Sequence, residues 1–240
     1  MAEWRFRPAR DLGLPWQERL RSVRREGGLA SAALQGGWRL CLRTWLRLYH
    51  RLRIEGRENL PAAPPFILVA NHASHLDALT LSAALRGAAA MRAYALAAGD
   101  HFFAGDLSAA FAAGAINALP VWRGQPARAA GDIGVLRERL VEEGCVFILF
   151  PEGTRSRSGA MGRFQAGIGA LIGGTGVPVV PCHLAGGFAA WPPQARWPRP
   201  GRLVLRIGTP LRFGDGYRGK AGWERIAAEC EAAVRGLGAG

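Results

Sequence analysis

Lysine is almost absent from this chain: Lys220 is the sole lysine among 31 basic residues, the other thirty being arginine. Acidic residues are also few, 18 in 240, which leaves a formal charge of +13. Alanine and glycine are abundant too, so part of the arginine bias is compositional. Its placement is not, because residues 1–57 carry thirteen arginines against five acids. A segment so charged attracts polyanions or an anionic membrane surface, and charge alone does not choose between them. The four cysteines, 41, 145, 182 and 230, form no CxxC pair and no zinc-ligand rhythm, which argues against a metal or disulfide framework and predicts reduced, buried thiols. The first residues, MAEWRFRPARDLGL, lack the unbroken apolar core of a secretory signal. A membrane-spanning run is missing as well. The longest uncharged stretch, 164–195, is broken by glycines and by Pro178, Pro181, Pro192 and Pro193.

What remains is a globular chain whose hydrophobic fraction of 49% excludes disorder. From about Ser31 to Leu52 the residues Leu34, Trp38, Cys41, Leu42, Trp45, Tyr49 and Leu52 recur at helical steps, with Arg39, Arg43, Arg47 and Arg51 every fourth residue beside them. The pattern predicts an amphipathic helix with two readings: packed on the domain with its arginines solvated, or lying on a membrane with its aromatics at head-group depth while the arginines meet lipid phosphate. Residues 1–50 are accordingly expected to form a basic, helical, membrane-docking segment, and 51–240 the main domain.

Beyond residue 50 the rhythm changes. The segments 51–58, 66–70, 92–96, 116–121, 145–150, 177–182 and 202–207 read as strands. Helical patterns at 79–85, 107–113, 128–143 and 167–173 fall between them, and one at 223–235 follows the last. The alternation predicts an α/β fold with a mixed, largely parallel sheet flanked by helices. In such folds chemistry gathers where strands end. The apolar run Phe66–Ala70 leads into Asn71-His72-Ala73-Ser74-His75-Leu76-Asp77, and the run 145–150 leads into Pro151-Glu152-Gly153-Thr154-Arg155-Ser156. The first loop supplies an imidazole, His72, and a carboxylate, Asp77, suited to a base and its orienting partner. The second supplies a guanidinium fork beside a glycine and two hydroxyls, suited to an anionic group.

Asn71 to Asp77 matches the NHxSxxD form of the HX4D block of the glycerolipid acyltransferases typified by 1-acyl-glycerol-3-phosphate acyltransferase, and Phe150 to Ser156 matches their FPEGTRS block. Gly114 to Asn117 with Pro120 to Arg123 resembles their second block, and Val177 to Pro181 their fourth. The chain therefore resembles that family over roughly Arg51 to Leu211. The resemblance implies transfer of an acyl group from acyl carrier protein or coenzyme A to a free hydroxyl of a lysolipid, without a cofactor or a metal. It assigns the general base to His72 and its partner to Asp77, and acceptor binding to Arg123, Glu152, Gly153 and Arg155, with the Thr154 hydroxyl of the same loop a further candidate substrate-binding group. Glu152 is an awkward phosphate ligand, since like charges repel, and is expected to orient Arg155 or an amide. An anionic membrane surface would be a further partner, and the cytoplasmic face of the inner membrane the location. Two departures bear on the acceptor: Ala97 to Phe103 contains no lysine, and Gln165 stands where many members carry one. They open the alternative of another lysolipid or an amino-lipid. A catalytically idle membrane adaptor and a nucleic-acid-binding module are the rivals from other classes, and neither explains the His72–Asp77 spacing.

Overall fold

The computed structural model describes residues 9, 11–26, 29–98, 110, 113–114, 116–121 and 126–239. Their centre is a seven-stranded sheet formed by β1 (Arg53–Glu55), β2 (Phe66–Ala70), β3 (Ala93–Ala98), β4 (Leu119–Val121), β5 (Val146–Leu149), β6 (Val179–Ala185) and β7 (Val204–Ile207). The order is β1-β7-β6-β2-β5-β3-β4, and every pairing is parallel except the antiparallel β6–β7. The predicted mixed, largely parallel sheet is the one observed. β2 lies in the middle with all five side chains buried, because a central parallel strand meets helices on both faces and so reads as an unbroken apolar run.

Alternation along β2 divides the core in two. Ile67 and Val69 face one layer with Phe147, Val179, Leu136, Ile168, Ile226 and Val234. That layer is closed by α5 (Pro126–Val141), α6 (Gly167–Ile172) and α8 (Gly219–Gly238). Phe66, Leu68 and Ala70 face the other with Leu81, Ile148, Val180 and Leu205, beneath α3 (Asp77–Ala84). At roughly 1.5–3 kcal/mol for each large apolar side chain buried, these layers are the main favourable term holding β2 and its neighbours in place. Short helices α1 (Trp16–Leu20), α4 (Gly87–Met91) and α7 (Gly187–Ala190) fill corners that no periodic pattern announced, since each holds only four or five residues.

The predicted amphipathic helix is α2 (Leu29–Leu48), and one of its faces packs on the domain, with part of the arginine stripe turned inward instead of solvated. Leu42 and Leu46 are buried against Leu76, Leu79 and Ala83, so α2 packs on α3. Arg39 is buried, and Arg43 donates through Nε to Ala83 O at 2.9 Å and through Nη2 to Leu85 O. Together with Arg57, whose Nη1 donates to Ala84 O at 2.7 Å, Arg43 satisfies the carbonyls that the C-terminal end of α3 leaves without helical partners. Two members of the arginine stripe thus face the protein. The outward face carries Leu34, Trp38, Leu40, Leu48 and Arg47.

Cys145, Cys182 and Cys230 are buried free thiols, as expected, and burial pushes Cys145 up to about 11. Cys41 departs from that expectation and is exposed, because it lies on the outer side of α2.

Candidate active site

Both motif loops leave the C-terminal ends of β2 and β5, which pair directly in parallel from Phe66↔Val146 to Val69↔Leu149. Neighbouring parallel strands release their loops on the same side of the sheet, and the two loops meet there. Asn71 sets the start of the first loop. Its side-chain Nδ2 donates to Leu184 O at 3.0 Å and its Oδ1 accepts from Leu184 N at 2.8 Å, so the carboxamide continues the β2–β6 ladder by one rung.

His72 and Asp77 are brought together. Nδ1 of His72 lies 2.8 Å from Oδ2 of Asp77, and the amides of Ala73 and Ser74 donate to the same oxygen at 2.7 and 2.8 Å. Asp77 is the first residue of α3, and its carboxylate reaches back over the loop that precedes it. Both the structural role expected of an aspartate at a helix start and the orienting role beside an imidazole fall on one oxygen. A carboxylate accepting at Nδ1 places the proton there and leaves Nε2 with its lone pair. The His72 ring stacks on Phe150 with centroids 4.0 Å apart, which fixes its plane.

The second loop holds the backbone of the first. Oε1 of Glu152 accepts from His72 N at 2.7 Å, and Oε2 accepts from Gly162 N at 2.8 Å. Ser156 N donates to His72 O at 2.8 Å. Both backbone groups of His72 are therefore bound to residues of the other loop. Glu152 is buried, and both of its oxygens accept from backbone amides. Gly153 turns the chain at φ +78°, where any other L-residue is strained, and its amide donates to Phe150 O at 3.1 Å. Thr154 is exposed.

Arg155 is partly buried and reaches His75, with Nη1 2.7 Å from Nδ1. Burial holds the Arg155 guanidinium below its ordinary value, with Asp77 acting the other way. The fifth acceptor-binding expectation, Arg123, lies outside the described residues, as do His101 and the 99–103 part of the lysine-free segment.

Several contributors escaped the sequence reading. Ser74 accepts from Leu76 N at 3.1 Å and donates to Trp191 O at 2.8 Å. A Cβ at Gly187 would stand 3.0 Å from Ser74 Cβ and 3.1 Å from Asp77 Oδ1, so a larger residue there would press on the pair and glycine lets α7 lie this close without displacing it. Ser74 was within the matched motif; Gly187 and Trp191, more than a hundred residues away, carried no local signal. No group of three His, Cys, Asp or Glu residues that could hold a metal ion occurs among the described residues.

This arrangement has relatives. Residues 51–185 match a family model described as Acyltransferase. The chain is 30% identical over 171 residues to a 1-acyl-sn-glycerol-3-phosphate acyltransferase of Pseudomonas aeruginosa, covering 70% of this chain and 62% of that one. It is 33% identical over 139 residues to a chloroplastic 1-acyl-sn-glycerol-3-phosphate acyltransferase of Brassica napus, covering 58% of this chain and 38% of that one. The matches thus span about two fifths to three fifths of the length of these curated relatives. The fold is that of the 1-acyl-sn-glycerophosphate acyltransferase of Thermotoga maritima, with a TM-score of 0.60, 24% identity, and coverage of 86% of this chain and 78% of that one. Because the family match runs over more than half of the 240 residues, from β1 through both loops to the end of β6, the chain belongs to the acyltransferase family.

Proposed function

We propose that the protein transfers a fatty acyl group from a thioester of acyl carrier protein or coenzyme A to the free hydroxyl of a lysolipid, with 1-acyl-glycerol-3-phosphate as the acceptor, and that His72 is the general base. The observation that carries this reading is the 2.8 Å contact between His72 Nδ1 and Asp77 Oδ2, in a loop whose backbone is held by the loop bearing Arg155. Nε2 of His72 takes the acceptor's hydroxyl proton as its oxygen attacks the thioester carbonyl carbon. The C–S bond breaks, the thiolate leaves, and the proton on Nε2 passes to sulfur, giving an ester and a free thiol. Asp77 stabilises the imidazolium formed on the way. Arg155, with Arg123, binds the acceptor's phosphate through guanidinium forks. The relatives named above support this acceptor. The missing lysines and exposed Gln165 keep another lysolipid or an amino-lipid as the competing acceptor.

We further infer a peripheral position on the cytoplasmic face of the inner membrane. No helix among the described residues is long and apolar enough to cross a membrane. Leu34, Leu40 and Leu48 on α2 are 76%, 64% and 76% exposed, an apolar face with Trp38 and Arg47 beside it.

The test supplies purified protein with acyl-coenzyme A or acyl carrier protein thioesters and a panel of lysolipids, with the products identified by mass spectrometry. Ester formed on 1-acyl-glycerol-3-phosphate, and its loss by roughly 10² to 10⁴-fold in a folded His72→Ala variant, is the expected result. Ester on a different lysolipid only would replace the acceptor. Less than a tenfold loss in the variant would remove His72 from the mechanism.

A further inference from the structure

The longest reach of the sequence without an acidic residue runs from Gly153 to Gly214, and within it the loop 191–203, between α7 and β7, carries Arg196, Arg199 and Arg202. All three arginines are exposed, and Trp197 stands among them, 70% exposed. The Arg196 guanidinium lies over its ring, 5.5 Å from the centroid. The loop holds this group outward on a stiff backbone. Pro192, Pro193, Pro198 and Pro200 fix four of its φ angles. Trp191 Nε1 donates to Ala195 O at 3.0 Å, Ala195 N to Pro192 O at 3.0 Å, and Arg199 N to Ala190 O at 2.8 Å. A side chain presented in this way loses little freedom when a partner covers it.

Two contacts say where the loop lies. Tyr49 Oη donates to Pro198 O at 3.2 Å, which joins the loop to the end of α2. Tyr49 and Trp38 are both exposed on α2, so Trp197 continues an aromatic side of that helix. The root of the loop is fastened to the first motif loop, because Trp191 O accepts from Ser74 Oγ at 2.8 Å and from His75 N at 3.2 Å. A dozen residues thus connect the outer side of α2 to the segment that bears His72 and Asp77.

We propose that the 191–203 loop is a second membrane contact, in which Trp197 lies at head-group depth and Arg196, Arg199 and Arg202 meet the phosphates of anionic lipids. The proposal rests on the peripheral-membrane reading of α2 and extends it to a part of the chain outside that helix and outside the matched residues 51–185. An indole carries an apolar body and one N–H, which suits the boundary between acyl chains and head groups, and guanidinium forks suit the phosphates just above it. An acidic protein surface would also attract three arginines, but it would leave the bare indole and the aromatic side of α2 without a use. A lipid surface engages all of them at once. Contact there brings the His72–Asp77 loop beside the bilayer, where an acceptor with a long acyl chain resides.

The test uses the full-length protein and vesicles of phosphatidylcholine alone or mixed in equal parts with phosphatidylglycerol. Co-sedimentation compares wild type with Trp197→Ala and with a loop triple variant, Arg196→Gln, Arg199→Gln and Arg202→Gln. A control triple, Arg212→Gln, Arg218→Gln and Arg225→Gln, removes the same charge near Gly176 and Tyr217, beyond the opposite end of β6. Each basic residue at an anionic surface strengthens binding by roughly fivefold, so the loop triple should weaken binding to the mixed vesicles by on the order of a hundredfold, and the control far less. Trp197→Ala should weaken binding to both vesicles by about tenfold. Depth is read by difference, because the chain holds eight tryptophans. Lipids brominated near the head group should quench wild-type emission more than that of Trp197→Phe. Unchanged Tm values show that the variants are folded. Wild-type binding that survives in both loop variants, equal losses in the loop and control triples, or equal quenching of wild type and Trp197→Phe would overturn the proposal. Normal vesicle binding by the loop triple, with loss of its binding to acyl carrier protein, would overturn it in favour of a carrier-protein surface. Wild-type protein that sediments with neither vesicle would defeat the peripheral reading as a whole and this proposal with it. Losses in the loop variants while Leu34→Ala with Trp38→Ala binds normally would instead leave the loop as the contact and defeat only the reading of α2.

Discussion

Glu152 offers the sharpest separation between a group that binds substrate and one that holds the proposed base, His72. Its two oxygens accept from His72 N at 2.7 Å and Gly162 N at 2.8 Å. In Glu152→Gln the side chain keeps its shape, but whichever way the amide turns, its NH2 faces one of two backbone N–H groups. One hydrogen bond is lost and a buried donor is left without a partner, which costs about 1–3 kcal/mol. For a chain of this size that corresponds to a fall of roughly 2–4 °C in Tm per kcal/mol. If the displaced amide is that of His72, Nε2 moves with it, and misplacement of a reacting group by about 1 Å costs on the order of 10²-fold. Steady-state kinetics in both substrates should therefore show kcat reduced by roughly ten- to a hundredfold, with acceptor KM within about threefold of wild type. Differential scanning calorimetry checks the stability half of the argument. A variant with normal kcat and Tm but a tenfold higher acceptor KM would refute this reasoning and return Glu152 to the acceptor site.

Asp77→Asn should lower kcat by more than tenfold at nearly constant acceptor KM, measured in the same assay, because an amide can offer its NH2 to Nδ1 and reverse the tautomer. Arg155→Ala should raise acceptor KM far more than thioester KM, and equal losses on both would remove Arg155 from the acceptor site. In vesicle co-sedimentation, Leu34→Ala with Trp38→Ala should weaken binding to anionic liposomes. Added salt should weaken wild-type binding without eliminating it, because apolar burial does not depend on ionic strength. Undiminished binding by the double variant would show that α2 only packs on the domain.

The parts of the fold that were legible are those in which one short stretch carries its own physics. Phe66–Ala70 announces a central strand because five consecutive apolar residues have no other use so close to a turn. His72 and Asp77 were readable as a pair because four intervening residues let a loop and the first turn of a helix fold over one carboxylate. Glu152 was half readable: its charge argued against an anion, but which amides it would meet depends on the β2–β5 pairing, which no local pattern encodes. Gly187, Trp191 and Pro193 were not readable at all, since their place beside Ser74 and His75 follows from β6 lying next to β2. The arginines of α2 misled for a different reason. A periodic stripe specifies that two faces differ, but it does not say which face meets protein. Arg43 turned inward because α3 presents bare carbonyls at its C-terminal end, which its guanidinium fork meets, and Arg39 is buried one turn before it beside Gln35.

That inward turn bears on how the protein can be cut for laboratory work. Trimming the basic first fifty residues looks like a natural route to a compact catalytic fragment, yet it would uncover Leu76, Leu79 and Ala83 and take the Arg43 guanidinium from Ala83 O and Leu85 O. Arg57 would hold Ala84 O alone. The frayed end would belong to the eight-residue helix whose other end is Asp77, so the fragment would lose the rigidity of the carboxylate that holds the His72 ring. A shortened version meant to stay active should keep α2 at least from Arg39 onward, and changes intended to make it less sticky belong at Leu34, Leu40 and Leu48, whose exposed side chains lie outside the Leu42–Leu46 contact with α3.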